Sequence, residues 1–277
     1  MKLYSLTLLI VLCILTSSIS RGEKCTADQK TCEISSNKRS PGFFNKLFKL
    51  FVRWLVSTPF GARNAKAPGS GFIGKLLSVM MEETNAKSIR HAVERLKAVP
   101  GNSDILLEIG AAHGTGIKAF SSFNPKRLIA MDISPRFRQI LSKLNIPNLE
   151  IYSDDAKDMS GFLESNSVDR LLAMNVVYFL DPLPEYAREI KRILKKDTGI
   201  GLLGCKLQLI SSGNNAYFKN KSLADIRSVF EQEGFLVEEE NMDLGSPSYN
   251  YVALIIRHNS PEISSETERE RERENVD

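Results

Sequence analysis

From residue 103 to residue 258, short apolar runs alternate with stretches of helical periodicity. This constrains the fold more than any other feature, because it is the pattern of strands pairing in parallel while helices cross over their faces. Strands are expected at 105–109, 128–131, 149–152, 168–173 and 199–206, with helices between them. A helix over 72–97 should precede the first strand, set off by Ala67-Pro68-Gly69-Ser70-Gly71 and stopped by Pro100-Gly101. With 277 residues, 42% hydrophobic and 25% charged, the chain suffices for one sizeable core with appendages. The expectation is a single α/β domain over 72–258, built as a Rossmann-like doubly wound sheet.

The first expected strand runs directly into Glu108-Ile109-Gly110-Ala111-Ala112-His113-Gly114-Thr115-Gly116. Glycines at a strand-to-helix turn let a backbone approach a ligand closely, and the following helix presents its N-terminus. Open α/β sheets bind ligands at this carboxyl end. Asp132 closes the second strand in Leu128-Ile129-Ala130-Met131-Asp132, where a carboxylate can accept hydrogen bonds from both hydroxyls of a ribose. Backbone amides around Gly110 to Gly116, together with Asp132, are therefore expected to grip a nucleoside. Gly114-Thr115-Gly116-Ile117-Lys118-Ala119 also satisfies the G-x-G-x-x-A dinucleotide pattern, which leaves an NAD-type oxidoreductase as an alternative, although its glycines start several residues after the strand.

These residues resemble the class I S-adenosylmethionine-dependent methyltransferases, in particular the type 11 small-molecule group. That family's first motif has an acid and then glycines two, four and six residues later. Glu108, Gly110 and Gly114 match it, and Ala112 stands where the middle glycine would be. Ser153-Asp154-Asp155-Ala156 resembles the third cofactor segment, with Asp155 facing the adenine amino group and Ala156 lining its plane. The similarity covers about two thirds of the chain, from Met80 to Asn85 upstream through a closing hairpin at Gly234-Phe235 and 251–257, which implies an antiparallel last strand. It implies S-adenosylmethionine as cofactor, held by Glu108, Gly110, Ala111, Ala112, Gly114, Asp132, Ile133, Asp155, Ala156 and Asn175. Asn175 and Tyr178, just past the fourth strand, would border the sulfonium and orient substrate. The reaction asks for neither a metal nor a covalent nucleophile, and no metal cluster is evident. His113 would face cofactor or solvent, with base catalysis a less favoured role. Because Ala112 adds a methyl where the family has none, a non-catalytic binding protein on the same fold is a further alternative.

The flanks speak to location. Residues 1–20 carry one Lys, an apolar run from Leu6 to Leu15, and Ser18 and Ser20 at small-residue cleavage positions, as in a signal peptide. An uncleaved anchor is the other reading of that run. Residues 21–71 form a basic leader in which no acidic residue occurs between Glu33 and Glu82. Within it Phe44, Leu47, Phe48, Phe51 and Leu55 share one face of a helix over 43–56, with Lys46, Lys49 and Arg53 behind them. Such a helix either lies in a membrane interface or covers the domain core. Cys25 and Cys32 either form a disulfide or remain thiols, and Cys205 belongs to an apolar strand. Asn220-Lys221-Ser222 is a glycosylation acceptor if the chain enters the lumen. Within the tail, 259–277, Ser264 to Asp277 alternates Glu and Arg with almost no apolar residue, and it is expected to be disordered or a frayed helix. The expected substrate is a small molecule or lipid-like acceptor in the secretory pathway, with peripheral membrane contact through 43–56. Nucleic acid is not expected, since no basic and aromatic groove pattern recurs within the domain.

Overall fold

The structure, a computed structural model, describes residues 58, 63, 66–67, 72–97, 105–206 and 218–259. The expected signal peptide, the leader helix at 43–56, Cys25, Cys32 and the charged tail beyond Asn259 lie outside those residues.

Helix α1, Phe72–Arg95, comes first, followed by β1, Ile105–Ile109. Buried on both faces, β1 reads as an unbroken apolar run interrupted only by Glu108, as expected of a central parallel strand. Then come α2, Thr115–Ser121; β2, Arg127–Met131; α3, Pro135–Leu141; β3, Leu149–Tyr152; β4, Arg170–Met174; α4, Leu183–Ile193; and β5, Ile200–Cys205. Helix α5, Leu223–Gln232, and the pair β6, Phe235–Met242, and β7, Tyr251–His258, complete the domain. The seven-stranded sheet has the order β3-β2-β1-β4-β5-β7-β6. Strands β1 to β5 pair in parallel, and β7 enters antiparallel between β5 and β6, with Leu203 opposite Leu254 and Val237 opposite Ile256. The doubly wound sheet with an antiparallel last strand is thus present.

Apolar side chains from the two faces of the sheet form two layers. On one side Ala187, Ile190 and Ile193 of α4 and Ile226 and Phe230 of α5 cover Leu107, Ile129, Leu171 and Leu203. On the other, Ala92 and Val93 of α1, Leu96 just after it, and Ile117 and Phe120 of α2 cover Leu106, Leu128, Leu172 and Leu202. The expected fourth strand starts two residues late. Val168 makes only an isolated bridge to Leu194, and the Asp169 carboxylate accepts from the Ile105 N–H at 3.0 Å and the Lys195 ammonium at 2.5 Å. The Asp169 backbone still bonds to both neighbours, donating to Ile105 O and accepting from the Ile200 N–H at 3.0 Å each, while its side chain takes the Ile105 N–H. The order reverses at β1, with β2 and β3 on one side and β4 and β5 on the other, which opens a crevice at the carboxyl ends of β1 and β4.

Candidate active site

A cavity of about 250 Å³ occupies that crevice. Gly110, Ala111, Ala112 and His113 line it from the β1 turn, Asp132 and Ile133 from the end of β2, Asp154, Asp155 and Ala156 from beyond β3, and Asn175 and Val176 from the end of β4. Met81, Glu82, Asn85 and Ile89 of α1 contribute another part of the wall.

The turn after β1 is tight. Gly110 sits at φ +73°, and a Cβ there would lie 2.4 Å from Val176 Cγ2, so neither conformation nor space admits a side chain. Ala112 adopts a left-handed φ of 45°, the conformation the family's glycine would take without strain. Four of the loop amides are already bonded within the protein. Gly110 N and Ala111 N both donate to Met131 O at 2.8 and 3.1 Å, Ala112 N donates to Asp132 Oδ2 at 2.9 Å, and Gly114 N donates to Ala111 O at 2.7 Å. Contrary to the sequence-based expectation, these four amides hold the turn itself; the loop offers a ligand close approach and shape.

Asp132, 7% exposed, accepts from Ala112 N through one oxygen and from Ser134 N through the other at 2.8 Å. Burial raises its pKa above the usual carboxylate value, against these two bonds. Each oxygen keeps a lone pair for a ligand hydroxyl. Ser134 also caps α3, so the helix that follows fixes the carboxylate. Ile133 is 48% exposed and Ala156 is buried, giving the cavity apolar surfaces beside Asp132 and Asp155. The Asp155 carboxylate is half-exposed and binds the Tyr186 hydroxyl, whose pKa is raised by burial and then by that bond.

Three expected ligand residues stand elsewhere. Glu108 is not among the residues lining the cavity; its side chain is buried beneath the loop, where a Cβ on Gly116 would come within 2.4 Å of Oε1. Burial raises its pKa well above the ordinary value, the Ile117 N–H donates to it, and Oε2 finds no partner. It supports the loop from below and does not line the cavity. Gly114 likewise leaves the cavity lining and packs against Leu144 and Leu141, where a Cβ would meet Leu144 Cδ1 at 2.5 Å. Tyr178 is buried away from the cavity and positions Asn175, since its hydroxyl donates to Asn175 Oδ1 at 3.0 Å and accepts from the Lys206 N–H. Asn175 does line the cavity, at a left-handed φ of 57°, and its Nδ2 donates to Asn85 Oδ1 at 3.2 Å. The resemblance reached Asn85 without giving it a role, and sequence reasoning missed the role of Lys206 as well, because their bond joins elements that meet only through tertiary packing.

His113 lines the cavity with its Nε2 2.7 Å from Ser78 Oγ and 4.0 Å from Glu82 Oε2, edge-on to Phe137. Burial lowers its pKa, so the imidazole is neutral at physiological pH. Glu82, Asp132, Asp154 and Asp155 line the cavity, and Lys66 is the only cation among the described lining residues, with Lys157 3.9 Å from Asp155 and Arg138 bonded to the Asp132 carbonyl outside it; the lining itself is net acidic, which suits a positively charged ligand.

Two sequence signals resolve differently. In the G-x-G-x-x-A stretch only Gly114 precedes α2, and Thr115 to Ala119 lie within the helix, so the pattern forms no dinucleotide loop. Asn220 donates its amide nitrogen to both Val177 O and Leu180 O at 2.7 Å. Both N–H groups are thus used inside the fold, and the atom a glycan would take is a structural clamp.

Residues 107–200 match the model of the methyltransferase domain family. Over 101 residues the chain is 32% identical to an uncharacterized methyltransferase-like protein of Schizosaccharomyces pombe, a stretch amounting to 36% of this chain and 38% of that protein. The chain thus spans well under half of that relative's length. Among solved structures, the CMeT domain of the citrinin polyketide synthase superposes with a TM-score of 0.58 at 15% identity, over 77% of this chain and 65% of that one. A SAM-dependent methyltransferase from Aquifex aeolicus gives 0.51 at 14% identity, over 72% and 97%. At such identities the likeness establishes the class I fold.

Proposed function

We propose that the chain, whose residues 107–200 match a methyltransferase domain model and whose sheet has the class I order, transfers a methyl group from S-adenosylmethionine to a small, largely apolar acceptor. The observation that carries the reading is Asp132, a buried carboxylate fixed at the end of β2 by two backbone N–H groups, beside a turn too tight for a side chain at Gly110. The residues fit the cofactor. Asp132 would take the ribose hydroxyls, Asp155 the adenine amino group, Ile133 and Ala156 the faces of the ring, and the acidic lining the positive charge.

The bound cofactor supplies an electrophilic methyl on a sulfonium. For an in-line displacement the protein has to align the nucleophile and keep out water. Asn175, locked by Tyr178 and Asn85, and the apolar side chains of Met81, Ile89, Val176 and Phe179 serve those tasks.

The same apolar wall supports a lipid-like or other amphipathic acceptor. The first twenty residues support delivery to the secretory pathway, and the basic, aromatic segment at 43–56 supports peripheral membrane contact. With Asn220 engaged in the fold, the lumenal reading rests on the leader alone. Incubating the purified chain with S-adenosylmethionine labelled in its methyl group and an apolar metabolite extract is expected to yield a labelled product. Labelled product confined to the polar fraction would refute the apolar acceptor, and none in either fraction would refute methyl transfer.

A further inference from the structure

At the carboxyl end of β5 a lysine is buried among neutral acceptors. Lys206 is 2% exposed, and its ammonium donates to Thr84 O at 2.8 Å, Asn85 Oδ1 at 3.0 Å and Ser248 O at 2.8 Å. Burial pulls its pKa down to about 8, so near neutral pH it is mainly cationic. A buried cation without a carboxylate is less favourable than an apolar side chain in the same place unless its hydrogen bonds offset the lost hydration. Scaffolding alone gives little reason to keep one.

An ammonium can only donate, so the Asn85 atom beside it is the amide oxygen. That fixes the direction of every bond in a closed ring. Asn175 Nδ2 donates to the same oxygen, the Tyr178 hydroxyl donates to Asn175 Oδ1, and the Lys206 backbone N–H returns to the Tyr178 hydroxyl. Both lone pairs of the Asn85 oxygen are therefore taken. What Asn85 retains for the cavity it lines is its amide nitrogen, whose N–H groups have no partner among the described residues. The cation behind the oxygen polarises the amide, and hydrogen bonds in such a chain strengthen one another. Around it the cavity presents the apolar side chains of Met81, Ile89, Val176 and Phe179, with the Glu82 carboxylate one turn back on α1.

We infer that Asn85 is a specificity-determining donor for the methyl acceptor, and that the acceptor presents to it an oxygen carrying negative charge on an otherwise apolar body, as in a phenolate, an enolate or a carboxylate. Lys206 is a positioning residue that turns the Asn85 N–H groups outward and sharpens their preference for an anion. This rests on the methyltransferase reading, in which Asn175, the neighbour of Asn85, borders the sulfonium.

The test uses para-nitrophenol, whose visible absorbance reports its ionisation, titrated with pH against the full chain with and without saturating S-adenosylhomocysteine. Bound probe is expected to ionise about one pH unit lower than free probe, a tenfold shift in its acid constant. Asn85→Leu should abolish that shift and Lys206→Met should reduce it at least threefold, with circular dichroism showing each variant folded. Should Lys206→Met fail to fold, Asn85→Leu alone decides. Absence of probe binding, or an unchanged shift in Asn85→Leu, would overturn the inference. A chain that binds the probe as expected but takes up no S-adenosylhomocysteine would instead overturn the methyltransferase reading and leave the anion site standing.

Discussion

Replacing Ala112 by glycine should stabilise the protein, although the change removes a methyl group from the binding loop. Ala112 is held at a φ of 45°, in the left-handed region. That conformation costs an L-residue about 1–2 kcal/mol. Glycine removes the penalty but loses about 0.5–1 kcal/mol through its greater freedom in the unfolded chain. The net gain is roughly 0.5–1 kcal/mol, which for a domain of this size corresponds to a rise in Tm of about 1–4 °C. The Ala112 methyl lines the cavity, so affinity for S-adenosylhomocysteine should hold or rise. Gly110→Ala is the counterpart. There φ is +73° and the new Cβ would lie 2.4 Å from Val176 Cγ2, so conformational strain and overpacking add to roughly 2–5 kcal/mol of lost stability. Thermal melts by circular dichroism, with calorimetry on the same samples, measure both effects. A lower Tm for Ala112→Gly, or an unchanged one for Gly110→Ala, would refute the reasoning about this turn.

Other consequences follow from the buried polar groups. Because burial raises the Glu108 pKa, the folded chain keeps a proton that the unfolded chain releases, and stability should fall as pH rises from the ordinary carboxylate range through the folded value. Glu108→Gln removes that titration, so its urea midpoint should gain on the parent's as pH rises over the same window. Tyr178→Phe leaves the Lys206 N–H and Asn175 Oδ1 without their shared partner and should lose about 1–3 kcal/mol in urea unfolding. Gly116→Ala drives a methyl against the Glu108 carboxyl and should lose about 1–3 kcal/mol. Combined with Glu108→Ala its effect should be less than additive, because the second change vacates the space the first one needs.

What the sequence disclosed and what it hid divide along physical lines. Strands β1 and β3 were legible to the residue, β1 as a buried apolar run interrupted only by Glu108 and β3, a half-buried edge strand, as a short run bounded by turn residues. Asp132 was legible for a similar reason, as an acid at the very end of such a run. Glu108 and Gly114 were legible as a motif but not in their roles. That the acid would lie under the turn, and that Gly114 would face Leu144, depends on which way the chain coils after Gly110. The late start of β4 was hidden because the Asp169 side chain competes for the Ile105 N–H that a ladder would have used. The ring of Asn85, Asn175, Tyr178 and Lys206 joins α1 to the ends of β4 and β5, and the 121 positions separating Asn85 from Lys206 leave no local pattern to read. Asn220 misled because a sequon specifies three residues and says nothing of whether the amide is already bonded.

The central claim is that Asp132 and the Gly110 turn hold an adenosyl group, and calorimetric titration of S-adenosylhomocysteine into the parent chain and Asp132→Ala tests it most directly. The parent should bind, and loss of two hydrogen bonds to a charged acceptor, about 1.5–3 kcal/mol each, should weaken the variant at least about 100-fold while circular dichroism shows it folded. If the parent takes up neither S-adenosylmethionine nor S-adenosylhomocysteine, or if the folded variant binds as tightly as the parent, the claim is contradicted.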